Sequence, residues 1–290
     1  MITIKSLSEL ISEQCSQWSH LSIKPVEFSG VDNQVFRLGD QMLIRLPSAE
    51  TYAGQVTKEQ KWLPLISPQL SIKIPEPLFM GDPSEHFPWK WSIYSWIEGE
   101  SANVVIDGLD MKLIAMQLSN FLNELHKIDI SQGPVAGKHN YHRGGHVSVY
   151  DDQARLSIEA LRDLIDVEKA IMLWKKAMES SWKRNPVWVH GDLASGNILV
   201  KDKILTAVID FGCMGIGDPA CDLMIAWTFF SKESRRCFKS NLSLDSQTWD
   251  RARGWALWKA GFEILQSGDR NCVESLKWQK VVSDILSEIE

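Results

Sequence analysis

The stretch that most limits how this chain can fold is Val187 to Leu223, VWVHGDLASGNILVKDKILTAVIDFGCMGIGDPACDL. Two short apolar runs, Ile198 to Val200 and Ile204 to Ile209, are separated by Lys201, Asp202 and Lys203. That pattern predicts adjacent antiparallel strands joined by a tight turn. His190, Asp192 and Asn197 come just before the first run; Asp210, Phe211 and Gly212 come just after the second. A hairpin therefore carries both polar sets to its open end. Carboxylate and amide oxygens gathered there suit phosphoryl transfer. Asp192 can accept the proton of an attacking hydroxyl, and Asn197 and Asp210 can hold Mg²⁺ against the phosphates of a nucleotide.

The spacing matches a known template. His190-Gly191-Asp192, four residues, Asn197 and then Asp210-Phe211-Gly212 follow the H-R-D-x-x-x-x-N and D-F-G order of kinases, with Gly in place of Arg. Either triplet alone is an ordinary turn; both in order, with Asn between them, form a specific signature. On these motifs, and on GDPACDL from Gly217 to Leu223, the chain resembles the aminoglycoside phosphotransferase family. The resemblance implies an α+β, bilobal, protein-kinase-like fold. A small antiparallel-sheet lobe would cover residues 1–99, and a larger, mostly helical lobe with the catalytic loop and acceptor site would cover 100–290. It also implies a Mg²⁺-dependent kinase moving the γ-phosphate of ATP or GTP to a hydroxyl of an aminoglycoside-like or other small acceptor. Related kinases of this fold act on macrolides, choline, homoserine and sugars.

Composition sets the boundaries of that reading. A chain of 290 residues with 44% hydrophobic and 23% charged residues has ample material for one large core or two modest ones. No apolar run approaches the roughly 20 residues of a membrane span. Met1 to Leu10 lacks the apolar stretch of a signal peptide, so a cytoplasmic location is expected. The five cysteines form no C-x-x-C pair, which favours thiols over bridges. A net charge of −6 argues against nucleic-acid binding and is compatible with a cationic acceptor.

Along the chain, Ser6 to Glu9 reads as a capping box opening a helix to about Trp18. Strands follow at Ile23 to Phe28, Val35 to Leu38 and Met42 to Leu46, with a loop at Ser29-Gly30-Val31-Asp32-Asn33 and a turn at Gly39-Asp40. In a kinase-like lobe this first loop lies over the nucleotide phosphates, which makes Ser29, Gly30 and Asn33 binding candidates. The third strand should offer the phosphates a cation; the residue there is Arg45, where a lysine is usual. Its carboxylate partner is expected on a helix from Thr51 to Leu65, and Glu59 lies mid-helix beside the core face of Trp62 and Leu63. Trp89 to Ile97 would be the last strand before the hinge. By resemblance, adenine would meet the backbone of Ser95 and Ile97 there, with Tyr94 bordering the base.

Helices are predicted at Gly108 to His126, Gln153 to Leu164, Val167 to Trp182, Pro219 to Phe230, Trp249 to Leu265 and Val273 to Ile289. Asp218 reads as the N-cap of the fourth, and Asp222 lies in its first turn; both acids are candidate supports of the catalytic loop. The Gly- and His-rich segment Ser131 to Tyr150 reads as a loop bordering the acceptor. Asp151, Asp152, Glu233 and Glu263 are acidic candidates for gripping an amine. The competing readings are weaker. A nucleotide-binding protein without turnover draws support only from Arg45, and a protein kinase would carry an A-P-E element that is not seen here.

Overall fold

The computed structural model describes residues 2–26 and 30–289 and divides into two compact units. The first comprises residues 1–100 with Thr206–Gly212, and the second Ser101–Leu205 with Cys213–Glu290. The sequence assigned 206–212 to the helical part. They belong with the sheet because Thr206 and Val208 exchange backbone hydrogen bonds with Lys73, at 3.3 and 3.0 Å.

The first unit opens with helix α1 (Ile4–Gln14). Its cap is Thr3, whose hydroxyl accepts from the Ser6 N–H at 3.1 Å, so the helix starts before the predicted Ser6 box. It ends at Gln14, and Ser16–Trp18 form a separate 3-10 turn. Strands β1 (Ile23–Pro25), β2 (Asn33–Leu38) and β3 (Met42–Pro47) follow. Then come helix α2 (Glu50–Ile66) and strands β4 (Pro77–Gly81) and β5 (Trp91–Ser95). Among the described residues these strands form one antiparallel five-stranded sheet in the order β1-β2-β3-β5-β4. Strand alternation turns Phe36, Leu38, Ile44, Leu46, Trp91 and Ile93 inward, where they pack with Leu7, Leu10 and Ile11 of α1. Each such aliphatic side chain, fully removed from water, contributes about 2 kcal/mol.

The short strand β6 (Glu100–Ser101) lies at the boundary. The second unit is helical: α3 (Met111–Leu125), α4 (Asp151–Ala160) and α5 (Val167–Met178) precede the catalytic stretch. Asp110 caps α3 by accepting from the N–H groups of Lys112 and Leu113. The stretch itself contains β7 (Val187–Val189), β8 (Ile198–Lys201), β9 (Ile204–Val208) and β10 (Gly215–Gly217). Asp202 and Lys203, at φ 52° and 66°, make the turn from β8 into β9. β7 and β10 pair antiparallel, Val189 opposite Gly215.

The helix predicted at Pro219 to Phe230 is two, α6 (Ala220–Leu223) and α7 (Ile225–Thr228), meeting at Met224. After α8 (Lys232–Ser240), the long α9 (Ser246–Gln266) and then α10 (Val273–Leu286) close the chain. α9 is the axis of the helical unit, buried on nearly every face, Trp255, Ala256 and Ala260 among its buried residues. The five cysteines remain thiols, and no helix among the described residues is long and apolar enough to cross a membrane.

Candidate active site

In the first unit the site grows from Arg45. β3 carries it, and the register sets it opposite Val35 on β2 and Ser92 on β5. Residues two positions along those neighbours share its face, which brings Asn33 and Tyr94 alongside. Arg45 Nη1 donates to both carboxylate oxygens of Glu59, at 2.8 and 3.0 Å. Nη2 donates to Asp210 Oδ1. With the Asn33 amide turned so that its oxygen faces the guanidinium, that oxygen lies 2.9 Å from Nη2 and 3.0 Å from Nε. Tyr94 completes the set: its hydroxyl donates to Glu59 Oε2 at 2.5 Å.

Glu59 is therefore no surface charge; 2% of its side chain is exposed, against 12% for Arg45 and 38% for Asp210. Burial opposes the charge on Arg45, but the carboxylates of Asp210 and Glu59 outweigh it and hold the guanidinium firmly protonated. Burial, then Glu59, push the Tyr94 phenol up, so that it stays a donor. Tyr94, expected at the edge of a base pocket, is a buried second tether for Glu59.

The remaining nucleotide candidates fall differently. Asn33 lies on β2 and faces Arg45, and so is not part of a phosphate-covering loop. Gly30 is exposed, with open space where a Cβ would stand, and Ser29 lies outside the described residues. Ser95 ends β5 with its N–H given to the Glu76 carbonyl at 2.9 Å, so only its own carbonyl could meet a base. Ile97 is half-buried two residues on. Sequence reasoning missed Asp32, whose carboxylate accepts from Gln55 at 3.2 Å. Burial raises its pKa, and the nearby negative charge of Asp210 adds to the rise. Gln55 in turn explains Gly212: a Cβ there would sit 2.5 Å from the Gln55 side-chain oxygen.

In the second unit the site is the loop after β7. Gly191 stands at φ 85°, and a Cβ on it would lie 2.2 Å from the Cys213 carbonyl oxygen. This accounts for Gly where protein kinases have Arg: no L side chain fits that turn. Asp222, fully buried, accepts from the His190 N–H at 2.7 Å and the Gly191 N–H at 2.8 Å. Burial raises its carboxyl pKa, while His190 and these backbone bonds pull it down. It supports the loop, as expected from its place after it, and does so by reaching back to the His190 and Gly191 N–H groups.

Asp218 accepts from Ala220 N–H at 3.0 Å and holds Arg251 of α9, Nε at 2.6 Å from Oδ2. Asp192 follows, its N–H donating to His190 Nδ1 at 3.2 Å, and the Asn197 amide donates to the Asp192 carbonyl at 2.9 Å. That bond commits Asn197 Nδ2 and leaves Oδ1 as the acceptor. Asn197 Oδ1 in this unit and the Asp210 carboxylate in the first are each hard oxygen donors of the kind Mg²⁺ takes.

The structure gives the other candidates ordinary partners. Asp151 takes Arg155 and the Trp174 indole, Glu233 takes Lys112 at 2.6 Å, and Glu263 takes Lys259 at 2.7 Å; Asp152 is exposed. In the His-rich loop, His139 Nε2 lies 2.9 Å from the Val135 carbonyl and His146 Nε2 3.1 Å from that of Ser180. Among the described residues no three His, Cys, Asp or Glu side chains are grouped to hold a metal.

Comparison with known proteins bears on family and fold. The phosphotransferase enzyme family matches residues 22–255. Among solved structures, the GDP complex of wild-type aminoglycoside 2'-phosphotransferase-IIIa aligns with a TM-score of 0.72 at 18% identity, over 97% of each chain. The streptomycin–ATP ternary complex of APH(2")-IIa aligns at 0.62 and 19% identity, over 99% of this chain and 97% of that one. Macrolide 2'-phosphotransferase MphH from Brachybacterium faecium aligns at 0.60 and 18%, over 99% and 98%. At these identities the likeness is one of fold. A search of curated protein sequences finds no match.

Proposed function

The chain belongs to the phosphotransferase enzyme family, and from that premise we propose that it is a Mg²⁺-dependent kinase of a small molecule. It transfers the γ-phosphate of ATP or GTP to a hydroxyl of an aminoglycoside-like or other small hydroxylated acceptor. The observation that carries this reading is the clamp on Arg45. A kinase needs a cation for the phosphates and a carboxylate beside it, and here Glu59, Asn33 and Asp210 hold one guanidinium between them.

In this reading Asp192 orients the acceptor hydroxyl and takes its proton. The backbone before it is already fixed by Asp222, so little must reorganise when the acceptor arrives. Arg45 exchanges Asp210 for the nucleotide phosphates and stays tethered by Glu59. Asn197 Oδ1 and Asp210 are the donors that would hold Mg²⁺, which supplies charge neutralisation to the phosphates when bound. Gly30, in the loop before β2, would cover the phosphates, and the base meets the carbonyl of Ser95 and the backbone of Ile97. The solved relatives named for aminoglycosides and a macrolide make those acceptors the first to try.

The test is nucleotide consumption with Mg²⁺ and ATP or GTP across aminoglycosides, macrolides, choline-like amines, sugars and sugar acids. One class should stimulate turnover, and Asp192→Ala should lower that rate by roughly 10²- to 10⁴-fold with the fold intact. An Asp192→Ala protein working at the wild-type rate refutes the assignment.

A further inference from the structure

Arg45, Arg235 and Arg251 are largely buried and well supplied with acceptors. Arg251 uses Asp218, Ser180 and Thr248, and Arg235 uses Glu288 and the carbonyls of Ala226 and Phe230. Arg143, only 6% exposed, is the exception. Its Nε and Nη1 are sealed from solvent without a hydrogen-bond partner, and no carboxylate lies within ion-pair reach among the described residues. What surrounds it is aromatic: its guanidinium carbon lies 4.7 Å from the Trp258 ring centre, 5.1 Å from Trp255 and 5.9 Å from Tyr150.

Ring faces attract a flat cation, but the N–H hydrogens lie in the guanidinium plane and still require acceptors. Nor do Tyr150 and Cys221 supply a counter-charge. Burial raises the Tyr150 phenol and the Cys221 thiol well clear of ionisation at neutral pH. An uncompensated buried cation is costly unless something else completes it.

The place of this residue in the chain is informative. Gly144, next to it, stands at φ 82°, and its carbonyl accepts the Asp218 N–H at 2.7 Å. A Cβ on Gly144 would touch Val189 at 3.2 Å, and one on Gly217 would meet the Gly144 oxygen at 2.0 Å. The backbone at Arg143 is thus seated on the strand that feeds His190-Gly191-Asp192, in the same unit. The acidic residues once considered for an amine grip do not oppose it: Asp151, Glu233 and Glu263 are occupied by their own partners.

We propose that Arg143, backed by Trp255, Trp258 and Tyr150, is a specificity residue that receives a carboxylate of the acceptor. This rests on the kinase reading above and narrows it to acceptors carrying an acid as well as a hydroxyl.

Thermal melts at matched ionic strength test it, in sodium chloride, sodium gluconate (a hydroxylated carboxylate) or sodium phosphate. The proteins are wild type, Arg143→Met and Asp192→Ala. Gluconate at about ten times its Kd should raise the wild-type Tm by about 3 °C, with the same rise in Asp192→Ala and none in Arg143→Met. Equal responses in wild type and Arg143→Met, including no response in either, overturn the proposal. A rise with phosphate but not gluconate also overturns the acceptor assignment, since the site would then take free phosphate. Because the Asp192→Ala shift reads binding without turnover, an intact gluconate shift in a wild type that never consumes nucleotide counts against the kinase reading alone. A chain that turns over while wild type and Arg143→Met respond alike counts against this inference alone.

Discussion

Two arginine–aspartate pairs divide the work of this molecule, and they are built differently. In the sheet unit, Arg45 shares one positive charge between Glu59 and Asp210, with Asn33 as a neutral third partner. In the helical unit, Arg251 has a single carboxylate, Asp218, whose side chain is 7% exposed while its own is 1% exposed. The first arrangement has one more anion than cation, so Asp210, 38% exposed, can leave without stranding the guanidinium. The second is balanced one to one and sealed. An ion pair meant to exchange partners and one meant to stay use the same two side chains; the count of carboxylates and the access of water separate them.

The sharpest way to break this comparison is to delete each aspartate. Asp218→Ala leaves Arg251 charged and buried and should cost about 3–5 kcal/mol in urea unfolding. Asp210→Ala should cost less than about 1 kcal/mol, because Glu59 still balances Arg45. Equal costs would erase the distinction.

Acid separates the units next. His126, at the end of α3, has its Nε2 sealed without a partner, and burial holds its pKa down at about 4. The folded protein binds that proton less readily than the unfolded chain does. Its contribution is therefore complete above about pH 6.5 and disappears as pH falls towards 4, up to about 3 kcal/mol in all. His126→Gln should flatten the stability profile over that window, read by urea midpoints at successive pH values.

Arg45→Lys changes the geometry of the clamp and keeps its charge. An ammonium lacks the planar fork that serves Glu59, Asp210 and Asn33 together, so stability should fall by about 1 kcal/mol. The KM for nucleotide should rise more than kcat falls. An unchanged KM would mean that the clamp does not serve the phosphates.

How much of this could be read in advance follows from distance along the chain. The α+β class, the hairpin turn at Asp202–Lys203 and the helical position of Glu59 depend on local period and turn residues, which a sequence displays. Asn33 and Tyr94 were legible only in part. Both share a sheet face with Arg45, but seeing this requires the register of three strands at once. Arg251 left no local trace, because Asp218 lies 33 positions away, and Asp222 was legible as a support of the catalytic loop but not in the His190 and Gly191 N–H groups it holds, 32 and 31 positions back. Arg143 was hidden for a further reason: its distinguishing property is missing partners, and no sequence pattern encodes an unmet hydrogen bond.

The return of Thr206–Gly212 to the sheet unit bears on how the protein is made. Arg45 and Asp210 are 165 positions apart, so the sheet leaves the ribosome well before the carboxylate that completes its clamp. The hundred-residue beginning must wait, with Glu59 alone beside the arginine, until more than half of the helical unit has been synthesised. The order of translation thus delivers the buried anchor first and the exchangeable one last.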